Sequence, residues 1–389
     1  MKKWGIKFYI LGLIVLSLGH FIYALRTNTF FSIDDFFVIQ YFRDHSVLSM
    51  IPDFLIHGDM NEFRKIVGFV VFGGLLKIFG VSHLAFDVTM FLTHTISLIL
   101  LFFVVKKITS NNFASFFVTL IFNKNYLFYY SNIHENLVGL FCILTIFFFL
   151  YYPKKFYLSL ISFVLAVFSK ETAVTLPLGL YAISLFLKMD KKELFYFRKR
   201  IYYLLLISLL FGIYAGYLFI ERKVLGNNFV YMPTSNIIDI FRGYLYFMDY
   251  KIIALCVVLP IVFKKYNYLG LLAVFFITLT PAALLVNRRE MYYIYMPFLY
   301  LMIYISLFLP KISFKSSFLY IVVFLIFGAR SILPRVAWQN FPNWQKVSIN
   351  NVLDRLESGS NEFSDIYLER DAKLMLGSGT ADIFLKQRN

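Results

Sequence analysis

Long apolar runs separated by short polar clusters recur along the chain, near residues 5–25, 84–105, 113–130, 136–152, 156–169, 172–187, 201–220, 251–263, 267–286, 291–309 and 317–333. A straight helical crossing of a bilayer core takes about 20 apolar residues, so these runs predict roughly eleven membrane-spanning helices. Several runs are shorter, notably those ending before Ser169 and Lys264; these are expected to stop inside a protein-lined cavity. The first run, Gly5 to Leu25, exceeds the apolar core of a signal peptide and reads as a retained first span.

Two long interruptions break the pattern. Residues 26–83 form the first, and within them Val67 to Ser82, with Gly73, Gly74 and Lys77, reads as a helix lying along the membrane interface. Residues 221–250 form the second, where Pro233 and the aromatic Tyr244, Tyr246 and Phe247 argue for an ordered loop. After Pro334 the chain turns polar, with Trp338, Trp344 and a helix-like stretch through Val352, Leu353 and Leu356. The chain thus divides into a multi-span region, 1–333, and a small tail, 334–389, too short for a large core of its own.

Charge orients the predicted spans. Lys2, Lys3, Lys7, Lys106, Lys107, Lys154, Lys155, Lys264, Lys265, Lys311 and Lys315 fall on one side, joined by the connection from Lys188 to Arg200, which the positive-inside rule places in the cytoplasm. The opposite side receives Asp34, Asp35, Asp44, Asp53, Asp59, Glu62, Glu135, Glu171, Glu221, Asp239, Asp249 and Glu290. The expectation is a multi-pass protein of the cytoplasmic (inner) membrane, amino terminus inside and, with an odd span count, carboxyl terminus outside.

A mean hydropathy of +0.71 with 60% hydrophobic and 15% charged residues excludes an ordinary soluble domain. The formal charge of +16 is explained by the topological lysines and implies no nucleic-acid partner. The 48 Phe and 28 Tyr exceed what two interfacial belts need, so many must face lipid or pack between helices. Cys142 and Cys256 sit within apolar runs, which excludes a disulfide framework or thiolate metal site.

Against this background a few polar groups stand out. Asp34 and Asp35 follow the first span, where a carboxylate beside lipid is costly and a general base is one use for it, a solvated loop the other. Ser169, Lys170 and Glu171 interrupt an apolar stretch, either as a surface hairpin turn or as a phosphate grip in which Glu171 holds Lys170 or helps bind a cation. Arg288 and Arg289, between Asn287 and Glu290, run against the positive-inside trend and call for an anion, whether lipid headgroups, a pyrophosphate or a lipid phosphate. Glu135, beside His134 and Asn136, is either a second carboxylate approaching Asp34 and Asp35 or a solvated loop acid. His94, between Thr93 and Thr95, reads as a helix-packing hydrogen-bonder. His45 and His57 share the first loop without zinc-site spacing.

The order of these groups carries a resemblance: Ile33 to Phe36; Phe63, Arg64 and Lys65; Phe79 and Gly80; His94; Ser169 to Glu171; then Arg289, Glu290, Tyr292 and Tyr295 to Pro297. Over residues 1 to about 340 the chain resembles the GT-C membrane glycosyltransferases, closest to the branch related to protein mannosyltransferases and aminoarabinose transferases. The resemblance implies an all-α polytopic bundle of roughly eleven transmembrane helices. It also implies a sugar donor carried on polyprenyl phosphate and a glycolipid, polysaccharide or protein acceptor.

By the same resemblance Asp34, with Asp35 beside it, would be the base on the acceptor. Lys170, Arg288 and Arg289 would surround the lipid phosphate, with Arg64 in the interfacial segment. Glu135, Glu171, Glu290 and Tyr292 would stand on the acceptor side or behind the charged groups, and Asp35 with Glu135 would be the ligands of a divalent Mg or Mn ion, should one be used. Two features depart from the pattern: Asp35 stands where many members have glutamate, and Asn123 to Asn125 replace a His-Pro pair. A polysaccharide polymerase or ligase acting on lipid-linked sugars, and a transporter or flippase for them, are the competing readings.

Overall fold

The computed structural model describes residues 5–27, 38, 41–42, 45–52, 65–80, 82–123, 133–187, 189–221, 235–248, 250–284 and 291–309. Among these all regular structure is helical. The helices are α1 (Ile6–Thr27), α2 (Val47–Pro52), α3 (Ile66–Phe79), α4 (His83–Thr109), α5 (Asn112–Phe122), α6 (Ile133–Tyr151), α7 (Phe156–Val167), α8 (Leu176–Ser184), α9 (Lys191–Glu221), α10 (Ile237–Phe247), α11 (Tyr250–Val262), α12 (Leu269–Leu284) and α13 (Tyr295–Ser306).

Four of them contain segments long and apolar enough to cross a membrane: Leu84–Thr109, Ile133–Tyr151, Lys191–Tyr217 and Tyr266–Leu284. A fifth crossing results if α10 and α11, bent by 87°, count together. The chain is therefore an α-helical membrane protein with four or five candidate spans among its described residues. Several predicted runs resolve into shorter pieces. Helix α7 has 12 residues, well short of the ~30 Å hydrocarbon thickness at about 1.5 Å per residue. It ends inside the bundle, and the chain passes through a 3-10 turn, Glu171–Thr175, into α8.

Side-chain contacts fix the running directions. Tyr9 stacks on Phe102 and Phe21 packs on Phe91, so α1 and α4 are antiparallel; the hydroxyls of Ser17 and Thr95 meet midway at 2.6 Å. Helix α6 runs parallel to α4, with Asn136 beside Met90 near one end and the Tyr151 hydroxyl donating to Phe103 O near the other. Ser110, at φ 56°, closes α4 before α5 turns back, and Asn111 caps α5 by accepting from Ala114 N. Phe149 packs on both Phe156 and Phe197, which puts the starts of α7 and α9 at the far end of α6.

Two ends result. Lys107, Lys154, Lys155, Lys191, Lys192, Lys264 and Lys265 are exposed at one, the basic end, where α4, α6 and α11 finish. The other end carries the starts of α4 and α6 and the finish of α7. Helix α3 lies across it: Val67 N donates to Phe168 O at 3.0 Å near its start, and only a short turn separates its last residue from α4. A helix is present where one was expected over Val67 to Ser82, as Ile66–Phe79.

Helix α13 is the axis of the bundle. All 12 of its residues are buried, as expected for a helix apolar on every face. Its tyrosines seat against glycines: the Tyr295 ring lies over Gly139 of α6 and the Tyr300 ring over Gly179 of α8, each in space a Cβ would fill. Their hydroxyls find partners in the interior, Tyr300 with Thr175 at 3.3 Å and Tyr304 donating to Cys256 O at 2.5 Å.

Two expectations need correction. The stretch Lys188 to Arg200, read as a connection, is mostly the first turns of α9, because Lys, Glu, Leu and Arg are good helix formers. The interruption at 221–250 contains α10, capped by Asn236, whose side chain accepts from Ile238 N. The run 317–333 and the tail 334–389 lie outside the described residues.

Candidate functional site: a buried ion pair at the end of the bundle

Glu135 stands in the first turn of α6, where the helix dipole favours an anion. Lys170 sits beyond the end of α7, where extended backbone (φ −165°, ψ 142°) breaks the helical path before the 3-10 turn. The two side chains meet as an ion pair, Lys170 Nζ to Glu135 Oε1, and are 3% and 1% exposed. The Tyr293 ring lies 4.5 Å from the same ammonium as a cation–π partner. His134 Nε2 is 3.7 Å from Glu135 Oε1. Gly68 of α3 covers His134 so closely that an added Cβ would lie 2.8 Å from His134 Cβ.

Four segments therefore converge on one charged cluster: the start of α6, the α7–α8 turn, the 3-10 turn Met291–Ile294 and the start of α3. Buried ion pairs are expensive to desolvate and rarely improve stability over apolar packing. Charge placed inside a membrane bundle in spite of that cost makes this cluster the candidate functional site.

Further buried polar groups adjoin it. Asp87 and Asn136 are both buried, and the Asn136 amide donates to Met90 Sδ at 3.1 Å. Asn136 Oδ1 is buried and accepts no hydrogen bond. Below them His94, fully buried, contacts Asn123 Oδ1 through Nε2 at 3.2 Å and the Tyr295 hydroxyl through Nδ1 at 3.3 Å. An amide oxygen only accepts, so Nε2 carries the proton and Nδ1 accepts from Tyr295. That network ties α4, α5 and α13 together.

The residues singled out in the sequence divide into two sets. Glu135 of α6 and Lys170 of the α7–α8 turn come together, and neither is solvated: the surface-turn and loop-acid readings are both corrected, because the apolar packing of α3, α6 and α13 encloses them. Glu171, half-buried, opens the 3-10 turn next to Lys170. Asp34, Asp35, Arg64, Arg288, Arg289 and Glu290 lie outside the described residues, as does the Tyr292 side chain.

The described neighbours of those residues nevertheless sit at the site end. Phe42 is buried against Gly73 of α3, Lys65 immediately precedes α3, and Tyr293, on Lys170, follows the Arg288 to Glu290 segment in the chain. Sequence reasoning missed Asp87. Its signal was an acid inside an otherwise apolar run, on the same helical face as Met90 and His94.

Among the described residues no group of three or more His, Cys, Asp or Glu is placed to hold a metal ion. Glu135, expected as a ligand of Mg or Mn, meets an ammonium instead, and Asp35 is outside the described residues. Comparison with protein-family models, with curated proteins and with solved structures finds no match.

Proposed function

We propose that this protein is a membrane glycosyltransferase that moves a sugar from a polyprenyl-phosphate donor to an acceptor hydroxyl at the extracytoplasmic face. The observation that carries the reading is the buried Lys170–Glu135 pair under Tyr293, at the end of the bundle opposite the exposed Lys154, Lys155, Lys264 and Lys265. A departing lipid phosphate needs cations fixed in advance where its charge develops, in a site shielded from water. Lys170 is such a cation, and Arg288 and Arg289, shortly before Tyr293 in the chain, are the others this reading enlists.

In this mechanism Asp34, with Asp35 beside it, takes the proton of the acceptor hydroxyl. The acceptor oxygen bonds to the anomeric carbon as the carbon–oxygen bond to phosphate breaks, with inversion. The bonding electrons leave on the polyprenyl phosphate, held by Lys170 and the arginines. Arg64 comes two residues before α3 in the chain, and on this reading α3 borders the route by which a lipid headgroup would arrive. The reading retains a bundle of roughly eleven spans, with the amino terminus inside and the tail outside.

The test uses the purified full chain in lipid vesicles with synthetic polyprenyl-phosphate hexoses and pentoses, and a glycan-plus-lipid extract as acceptor. Release of polyprenyl phosphate that needs both donor and acceptor, and that Asp34→Asn removes while the protein remains folded, is the expected result. Donor crossing the bilayer with its sugar still attached points to transport instead. Full release by Asp34→Asn would overturn the assignment of the base.

A further inference from the structure

We propose that the groove between α8 and α9 at the basic end binds one anionic phospholipid, with Arg198 holding its phosphate and the exposed stripes of both helices holding its acyl chains.

The groove follows from how the two helices meet. Ser208 Oγ of α9 donates to Val174 O, just before α8, at 3.1 Å, and ten residues earlier in α9 Arg198 lies over the Tyr181 ring, Cζ 5.4 Å from its centre. The two are therefore antiparallel neighbours, with Arg198 toward the basic end. Leu178, Tyr181 and Leu185, three and four residues apart, make an exposed stripe along α8 and its cap. Lys191, Arg198, Tyr202 and Leu209, seven, four and seven apart, share one face of α9, all exposed except the half-buried Arg198. Two largely apolar stripes thus run side by side beneath a cationic head.

That head lacks an anion. Among the described residues Arg198 forms no ion pair and no hydrogen bond, and its Nε is buried without an acceptor. The nearest acids in the chain do not serve it: Asp190 Oδ1 accepts from Glu193 N at 2.7 Å, and neither carboxylate pairs with Arg198. The Tyr181 face steadies the charge but supplies no acceptor oxygen to a guanidinium with five N–H donors. Phosphate oxygens match that fork in both geometry and charge. Basic pockets between membrane helices are where anionic headgroups settle.

Length points to a lipid as the carrier of the phosphate. From Arg198 to Leu209 the helix rises about 16 Å at 1.5 Å per residue, close to half of the ~30 Å hydrocarbon core. One leaflet's acyl chains span that depth. A soluble phosphate would meet the arginine and leave both stripes uncovered, whereas a phospholipid covers them together. Seated there, it clamps α8, only 9 residues long, onto α9.

The experiment is photo-crosslinking of the purified full chain in phosphatidylcholine nanodiscs that contain a trace of phosphatidylglycerol with a diazirine in its acyl chain. Peptide mass spectrometry is expected to place adducts on residues 178–185 and 202–209, and a phosphatidylcholine bearing the same diazirine is expected to label them about fivefold less. Equal labelling by the two probes, or adducts spread evenly over the lipid-facing helices, overturns the proposal and needs no variant. Arg198→Gln is expected to cut phosphatidylglycerol labelling about fivefold. Lys154→Gln removes the same charge from an exposed position at the same end and is expected to leave labelling unchanged. An equal fall in both variants means diffuse attraction in place of a site and overturns the proposal, as does undiminished labelling of Arg198→Gln. Loss of the wild-type adducts on adding excess glycerol phosphate shows that a free phosphate suffices and overturns the choice of a lipid; adducts that survive it support that choice.

Discussion

The two ends of the bundle use the same residue in opposite ways. At the basic end Lys154, Lys155, Lys264 and Lys265 are exposed. There they cost little and report orientation through their number. At the other end Lys170 is buried among helices with a carboxylate and a tyrosine ring in contact. The difference is made by what surrounds each ammonium, and α3, laid across one end, is the element that encloses.

The largest effect that can break this contrast comes from the buried pair. Lys170→Met is expected to leave Glu135 as an uncompensated buried charge and to cost about 3–5 kcal/mol, read as thermal unfolding in detergent. The double change Lys170→Met with Glu135→Gln removes both charges and is expected to recover most of that loss. If the single and double changes are equally destabilising, the pair is not electrostatically coupled. The control at the opposite end is Lys154→Met, expected to stay within about 0.5 kcal/mol of wild type.

Next in size is the packing that holds the site end together. Gly139→Ala pushes a methyl group into the Tyr295 ring, and overpacking of this kind costs about 1–3 kcal/mol. A tolerant Gly139→Ala in the same unfolding measurement would show that α13 can move aside. Gly74, with nothing within 4 Å of an added Cβ, is the matched site where alanine is expected to be tolerated.

Smaller again is the interior hydrogen bond. Tyr295→Phe removes the hydroxyl that bonds His94 Nδ1 and is expected to cost about 1 kcal/mol. The smallest disturbance tests the geometry itself. Ser82→Cys at the site end and Lys154→Cys at the basic end are both exposed positions and are expected to react with a membrane-impermeant thiol reagent from opposite faces, Lys154→Cys from the cytoplasm. Cys142 and Cys256 are buried and are expected to stay silent. Labelling of both engineered sites from one face would erase the distinction between the ends.

Much of the helical layout was legible in the sequence because apolar runs and helices obey the same periodicity. The run near 136–152 is α6, the run near 267–286 is α12, and the helix expected over 67–82 is α3 within a few residues. The failures have physical causes. Helix α9 begins ten residues before its apolar run because long basic side chains are good helix formers at a membrane edge. Helix α10 hid inside a supposed loop, although Asn236 and Asp239 supplied its amino-terminal signal.

The site was half legible. Lys170 and Glu135 each stood out as charges amid apolar sequence, but nothing in a single chain of letters says that a turn residue and a residue on a separate helix will touch. Their partnership is a product of how α6 and α7 pack, and the bland alternatives for each residue looked reasonable until that packing was seen. Asp87 escaped because a lone acid in a long apolar run gives no pairing cue.

Because α13 shows no face to lipid, it has no independent home in the bilayer. A ribosome delivers α6 and α8 long before it delivers Tyr295 and Tyr300, so the notches at Gly139 and Gly179 stand vacant until late in synthesis. The last described helix acts as a keystone, and the polar cluster beneath Tyr293 is sealed only when that stone drops into place.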